Sequence, residues 1–365
     1  MHKVVADNAA CILIYYHLFC NMKILVTGAA GFIGYHTINR LMTDGHEVVG
    51  IDNLCQPSTH AIKLARLSRL GIDTDAISAG KAIQSSSGKF EFILMDILDR
   101  KSVQALCTKA DFDCIVHLAA HAGTKPSMAH PTEFFDVNTI GTQNMLEAAR
   151  LCNTRHFFFS SSYVVHGARA QAPLKENDDV DTPMSMYAAS KRSAELLCYT
   201  YAHAYKLPIT IFRFFTAYGQ WGRPDSKPMH IAHSIATGEP ITLLNDGYLV
   251  RDFTYIDDII DGMMMALSTP PSSTARAPYA LYNIGRSKPI PMLSFIQAIE
   301  VAMGKTANIE RDPASPITKG ESVEMYADTG KLENELAYSP VWDYEEAAPI
   351  FAQWFLENYN VTFNM

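Results

Sequence analysis

The chain is poor in the features that mark membrane, secreted or nucleic-acid-binding proteins. Its 30 lysines and arginines are outnumbered by 38 acidic residues, giving a net charge of -8. No basic stripe contradicts that balance, so a nucleic-acid partner is not expected. The 7 cysteines include no C-x-x-C pair, and the histidines show no metal-ligand spacing, so neither a disulfide framework nor a metal site is indicated. The apolar stretch from Ala9 to Cys20 falls well short of the roughly 20 residues a spanning helix needs. Lys3 is a thin positive flank, and no small-residue cleavage site precedes Met22. Residues 1–21 therefore read as a loose tail or a mis-set start, and the protein as cytoplasmic with no membrane partner. No internal repeat is present, and no low-complexity segment stands out beyond Ser85-Ser86-Ser87. What remains, at 48% hydrophobic and 19% charged residues, is an ordinary globular composition with ample material for a core.

The chain is organised around Met22 to Asp52. Lys23 to Thr27 has strand composition, Gly28, Gly31 and Gly34 follow in the spacing G-x-x-G-x-x-G, and Ile33, Ile38, Leu41 and Met42 continue as the apolar face of a helix. A second apolar strand, Glu47 to Ile51, ends on Asp52. Strand, glycine turn, helix, strand and terminal acid form a dinucleotide-binding unit. The glycines admit a pyrophosphate to the helix N-terminus. Asp52 is placed to accept from a ribose 2′-hydroxyl and to repel a 2′-phosphate, which favours NAD over NADP.

Strands and helices then alternate. Gly71 to Lys89 reads as a surface loop and Phe90 to Met95 as a strand ending at Asp96-Ile97, where doubly wound sheets hold an adenine. Cys114 to Leu118 reads as a strand continued by the small residues Ala119 to Gly123. Asp136 to Arg150 reads as a helix, His156 to Phe159 as a strand running into Ser160-Ser161-Ser162, Tyr187 to Tyr205 as a helix and Ile209 to Phe214 as a strand. This is the rhythm of an α/β, doubly wound parallel (Rossmann) sheet. It breaks after residue 215, where glycine and proline become frequent. The expected division is 22–215 with 254–285 for the dinucleotide, and 216–253 with 286–365 as a smaller α/β substrate domain.

Tyr187 and Lys191 stand one helical turn apart and face the same way. A tyrosine is a poor base at its free pKa of about 10, but a neighbouring ammonium and a positive nicotinamide favour the phenolate. It could then take a hydroxyl proton as hydride leaves the same carbon. Ser162, at the ligand-binding end of its strand, could share that hydrogen bond.

From Met22 onward the chain resembles the extended short-chain dehydrogenases/reductases, specifically the nucleotide-sugar epimerases. The resemblance rests on TGAAGFIG, the HLAA run at His117 to Ala120, SSS, Y-A-A-S-K, RFFTAYGQWGRPD, RDFTYIDDI and YNIG. Arg213 to Asp225 is most similar to UDP-glucuronate 4-epimerases. The resemblance implies NAD contacts at Gly28, Gly31, Phe32, Ile33, Gly34, Asp52, Asn53, Asp96, Ile97, Leu118, Ala119, Ala120, Asn138, Tyr187 and Lys191. It implies Tyr187 as base, Lys191 holding it and the NAD ribose, and Ser162 assisting. A UDP-sugar would meet Lys125, Ser162, Thr216, Arg223, Arg251 and Glu321, with Arg251 on the UDP portion and Thr216 and Arg223 on a sugar carboxylate. A homodimer is implied, paired through helices 136–150 and 187–205. The activity implied is C4 epimerisation of UDP-glucuronate through a transient 4-keto sugar. The alternatives are a UDP-glucose/UDP-galactose 4-epimerase, a dehydratase or decarboxylase of the same fold, and an NAD sensor without turnover.

Overall fold

Along the first strand Ile24 and Val26 face one side and Leu25 the other, and both sides are fully buried. Such double burial is what a parallel sheet between two helical layers requires. The computed structural model describes residues 21–55, 60–169, 171–312 and 323–359; the expected N-terminal tail lies outside these apart from Asn21.

Eight strands form the central sheet: β1 (Lys23–Thr27), β2 (Glu47–Asp52), β3 (Ala82–Gln84), β4 (Phe90–Leu94), β5 (Cys114–His117), β6 (His156–Ser162), β7 (Ile209–Phe214) and β8 (Tyr279–Ile284). Their order is β8-β7-β6-β5-β1-β2-β4-β3. All pair in parallel except β3, which runs antiparallel to β4 with Ile83 opposite Phe92. The expected loop over 71–89 thus contains an edge strand. It is three residues long with only Ile83 buried, too short to show a strand periodicity.

The helices that matter for the site are α1 (Phe32–Thr43), α2 (His60–Arg69), α3 (Arg100–Ala110), α4 (Thr142–Leu151), α5 (Met186–Tyr205), α6 (Lys227–Thr237) and α7 (Ile256–Leu267). One core layer joins Ile38 and Leu41 of α1 with Ile256, Ile259 and Met263 of α7. The other joins Val103 and Cys107 of α3, Met145 and Leu146 of α4, and Ala194 and Cys198 of α5. Alternation along β6 serves both, with Phe158 in the first layer and Phe157 and Phe159 in the second. β1 pairs with β2 on one side and β5 on the other. Strand order reverses there, and the crevice beyond the strand ends is where such sheets bind ligands.

The helix expected over 136–150 is interrupted. Residues Asp136–Gly141 form a π-turn ahead of α4. Its cause is tertiary: Asn138 leaves the helix register to accept from His121 N at 2.8 Å and to donate to His121 O at 2.9 Å, pinning the loop after β5. Single π-turns of this kind recur at functional sites.

Beyond β7, Thr216–Tyr218 pairs with Phe253–Tyr255, Pro240–Leu244 with Asn308–Asp312, and Val250–Arg251 with both Ile290–Pro291 and Glu324–Met325. Among the described residues no helix is long and apolar enough to cross a membrane.

Candidate functional site

At the glycine turn, Gly28 has φ +69, and a Cβ there would meet Ala119 N at 2.9 Å. A Cβ on Gly34 would lie 2.2 Å from Gly28 O, so the third glycine lets α1 close against the turn. Among the described residues no side chain caps α1, and its first turn holds no acid. By contrast, Asp99 caps α3 through Ser102 N. The first-turn N–H groups of α1 are left for an anion, in a setting that favours negative charge.

These groups open on a cavity of about 340 Å³ that runs from the glycine turn to the end of β6. Of the expected contacts it is lined by Gly28, Gly31, Phe32, Ile33, Gly34, Asp52, Asn53, Ile97, Leu118, Ala119, Ala120, Ser162, Tyr187, Lys191 and Arg223. Asp96 does not line it; it accepts from Asn53 Nδ2 at 2.9 Å and Leu98 N at 2.8 Å, shaping the wall from behind. Asn138 is buried away from the cavity and acts through the loop it pins. Thr216 and Arg251 line a second cavity, of about 310 Å³. Tyr163, Ala217 and Ser226 line both, so the two adjoin as neighbouring parts of a cleft. Lys125 is exposed and lines neither cavity. Glu321 lies outside the described residues. Thr216 and Arg223, expected on one carboxylate, thus stand in different parts of the cleft.

Asp52 is tied by its own turn, accepting from Ala30 N at 3.2 Å and Leu54 N at 2.8 Å. It also pairs with Lys63 of α2 at 3.0 Å, and both side chains are largely buried. The expected repulsion of a 2′-phosphate is therefore offset by a neighbouring cation. Asp52→Ala should weaken NAD binding roughly tenfold or more by removing a charge-assisted hydrogen bond. It should also leave Lys63 unpaired beside the ribose, raising acceptance of NADP. Titrating both dinucleotides checks this, and an unchanged ratio would place selectivity elsewhere.

The reacting end is built by α5 against β6. Ser185 caps α5 through Ala188 N at 3.1 Å and sets its first turn. Three residues one turn apart on α5 then meet three consecutive serines. The Ser162 hydroxyl faces the Tyr187 phenol and favours its ionised form. Lys191 Nζ donates to Ser160 O at 2.7 Å and sits 4.9 Å over the Phe159 ring. Ser161 Oγ donates to Glu195 at 2.6 Å, and Glu195 is held bidentately by Arg213 at 2.9 Å through both nitrogens. Burial lowers the Lys191 pKa to about 7, with Cys198 and Glu195 acting against that fall.

Burial raises the Tyr187 pKa, and the opposing charge is the Arg223 guanidinium, assisted by Ser162. The sequence reading gave that part to the Lys191 ammonium and the nicotinamide. In the structure the Lys191 ammonium donates to Ser160 O, and Arg223, on a loop distant in sequence, is a further cation that favours the phenolate. His117 is buried between Thr27 Oγ1 at 2.7 Å and Thr142 Oγ1 at 3.0 Å. Burial takes its pKa down to about 3, so it is a neutral brace joining β1, β5 and α4.

Sequence reasoning passed over Lys63, Glu195, Arg213 and Arg66. Glu195 continues the four-residue spacing of Tyr187 and Lys191, a signal that was there to use. Arg66 left none. Only 1% exposed, it donates to Ala30 O at 2.8 Å, twice to Trp221 O at 2.6 and 3.1 Å, and to Gly222 O at 3.0 Å. It joins the glycine turn to the loop that carries Arg223, and it lines the first cavity. The uncapped helix, the cramped glycines, the Asp52 carboxylate and these cations suit a dinucleotide. Among the described residues there is no cluster of metal-ligating side chains.

Comparison with known proteins agrees with this geometry. A probable UDP-glucuronate 4-epimerase of Rhizobium meliloti is 34% identical over 351 residues, spanning 93% of this chain and 98% of the relative. UDP-glucuronate 4-epimerase 3 of Arabidopsis thaliana is 33% identical over 351 residues, 93% of this chain and 77% of its own length. The crystal structure of UDP-glucuronic acid 4-epimerase from Bacillus cereus, in complex with UDP-glucuronic acid and NAD, superposes with a TM-score of 0.80 at 31% identity, covering 93% of this chain and all of that one. The profile of the NAD dependent epimerase/dehydratase family matches residues 24–285. With strand order, glycine turn and the Tyr187–Lys191 pair all in place, the chain belongs to the NAD-dependent epimerase/dehydratase family.

Proposed function

We propose that the protein inverts C4 of UDP-glucuronate to give UDP-galacturonate, with NAD held in the first cavity. The observation that carries this reading is the convergence of Tyr187, Ser162, Lys191 and Arg223 on one cavity whose far end is the glycine turn. Bound there, NAD supplies the chemistry of accepting hydride from C4 and returning it to the opposite face. Tyr187 takes the C4 hydroxyl proton and later gives it back, which is general base and general acid work in turn. Ser162 holds the same oxygen, and Lys191, fixed on Ser160 O, steadies the ribose side. Arg223 holds the sugar carboxylate, and the second cavity with Arg251 takes the UDP portion.

A UDP-glucose/UDP-galactose epimerase would share every proton step. Arg223 on the wall favours an acidic sugar, because a planar guanidinium matches a carboxylate bidentately and a hydroxymethyl group does not. Purified protein offered a panel of UDP-sugars should interconvert UDP-glucuronate and UDP-galacturonate, read by chromatography. Turnover of UDP-glucose alone would overturn the reading.

We infer a reducing cytoplasm as the setting, which suits the free thiols of Cys55, Cys107, Cys114, Cys152 and Cys198. We also infer a homodimer. Support comes from the exposed Leu151 at the end of α4 and from Leu196, Tyr199 and Tyr205 on α5, each about half accessible. Helices pairing with their copies would cover these as an intersubunit bundle. Light scattering at micromolar concentration should give twice the chain mass; a monomer would refute it.

A further inference from the structure

Arg223, Pro224, Asp225 and Ser226 form a tight turn, closed by Ser226 N donating to Arg223 O at 3.0 Å, with proline at its second position. The turn brings Asp225 back beside Arg223. Arg223 Nε donates to one carboxylate oxygen at 3.0 Å and Nη2 to the other at 2.6 Å. Arg223 and Pro224 line the first cavity and Asp225 does not, while the Asp225 side chain is 43% exposed. The carboxylate therefore holds the guanidinium from the solvent side, and Nη1 makes no hydrogen bond among the described residues.

We propose that Asp225 is a positioning residue for the sugar carboxylate, orienting Arg223 so that its Nη1 edge is left for the substrate. The inference rests on the proposed role of Arg223 in holding an acidic sugar. A guanidinium on a flexible stem can point many ways, and fixing one edge removes that freedom before the substrate arrives. The pair is also near neutral, so it tempers the pull of Arg223 on the Tyr187 phenol. The opposite arrangement, in which Asp225 occupies the substrate's own seat and must be displaced, would put that carboxylate inside the cavity, where it is not.

The test uses full-length NAD-loaded protein as wild type, Asp225→Ala, Asp225→Glu and Arg223→Ala. Asp225→Ala should weaken UDP-glucuronate binding about tenfold, the scale of a misplaced contact softened by exposure, and leave UDP-glucose binding unchanged. Asp225→Glu should restore part of the loss. Asp225→Ala should also leak product from the 4-keto sugar. There the C5–C6 bond breaks, its electron pair passes into the C4 carbonyl as an enolate, carbon dioxide leaves, and a proton adds at C5 to give a 4-keto pentose. The alkaline-rising limb of kcat/KM should move to lower pH, because the unmasked guanidinium favours phenolate. Tighter or unchanged UDP-glucuronate binding in Asp225→Ala, with Arg223→Ala still losing it, would overturn the proposal alone. Equal weakening on both sugars would assign Asp225 to loop structure and overturn it too. If Arg223→Ala itself shows no preference lost, the acidic-sugar reading fails and takes this proposal with it.

Discussion

Tyr187→Phe is expected to fold, to keep NAD and to lose epimerisation by several orders of magnitude. Positioned proton transfer contributes roughly 10²–10⁴-fold, and Tyr187 must act in both directions within one cycle. The substitution removes only the hydroxyl. The ring keeps its edge-on contact with Phe134 at 6.1 Å between centroids, so thermal denaturation should be little changed. Loss of turnover with retained dinucleotide would separate chemistry from binding. Near-normal turnover would remove Tyr187 from the mechanism and leave Lys191, with a pKa near neutrality, as the next group to test.

Arg223→Ala is expected to separate the two sugars. Removing one partner of a charge-assisted pair costs roughly 2–5 kcal/mol, and the low end applies here because the side chain keeps 37% exposure. UDP-glucuronate turnover should fall roughly thirtyfold or more, and any UDP-glucose activity far less. A decarboxylated pentose by-product should appear, since the C5–C6 bond of the 4-keto acid is no longer kept from swinging perpendicular to the ketone plane, where it breaks. The variant also removes the cation that favours the Tyr187 phenolate. With that pull gone the phenol's pKa rises, so the ascending limb of kcat/KM moves to higher pH, opposite to the shift expected for Asp225→Ala. Arg223→Lys should rescue only part of the loss, because a point charge cannot reproduce a bidentate fork. Equal loss on both sugars with no by-product would assign Arg223 to the loop or to the UDP portion.

The dinucleotide half was readable because its signals are local. Strand, glycine spacing, helix face and Asp52 follow within one short stretch, each dictated by its neighbours. Tyr187, Lys191 and Ser162 were readable for a related reason, being set by helical spacing and by a strand end. What escaped depends on chain segments that meet only after folding. Arg66 reaches carbonyls 155 and 156 residues away, Arg213 of β7 pairs with Glu195 of α5, and the π-turn exists because Asn138 must reach His121. Thr216 and Arg223 are close in sequence, yet the turn at Arg223 and the strand at Thr216 send them to different parts of the cleft. Spacing alone could not foresee that separation.

The four bonds of Arg66 bear on how this fold can change. One rigid planar group grips the cofactor turn through Ala30 and the sugar-side loop through Trp221 and Gly222. A shift on either side is transmitted to the other, since a buried guanidinium cannot release a carbonyl to water without leaving charge unsatisfied. Substitutions that retune dinucleotide choice near Ala30 and substitutions that retune sugar choice near Arg223 will therefore not combine independently. Redesign of one preference has to be scored on both, and a lineage that drifts toward a new sugar will carry its compensations beside the nucleotide.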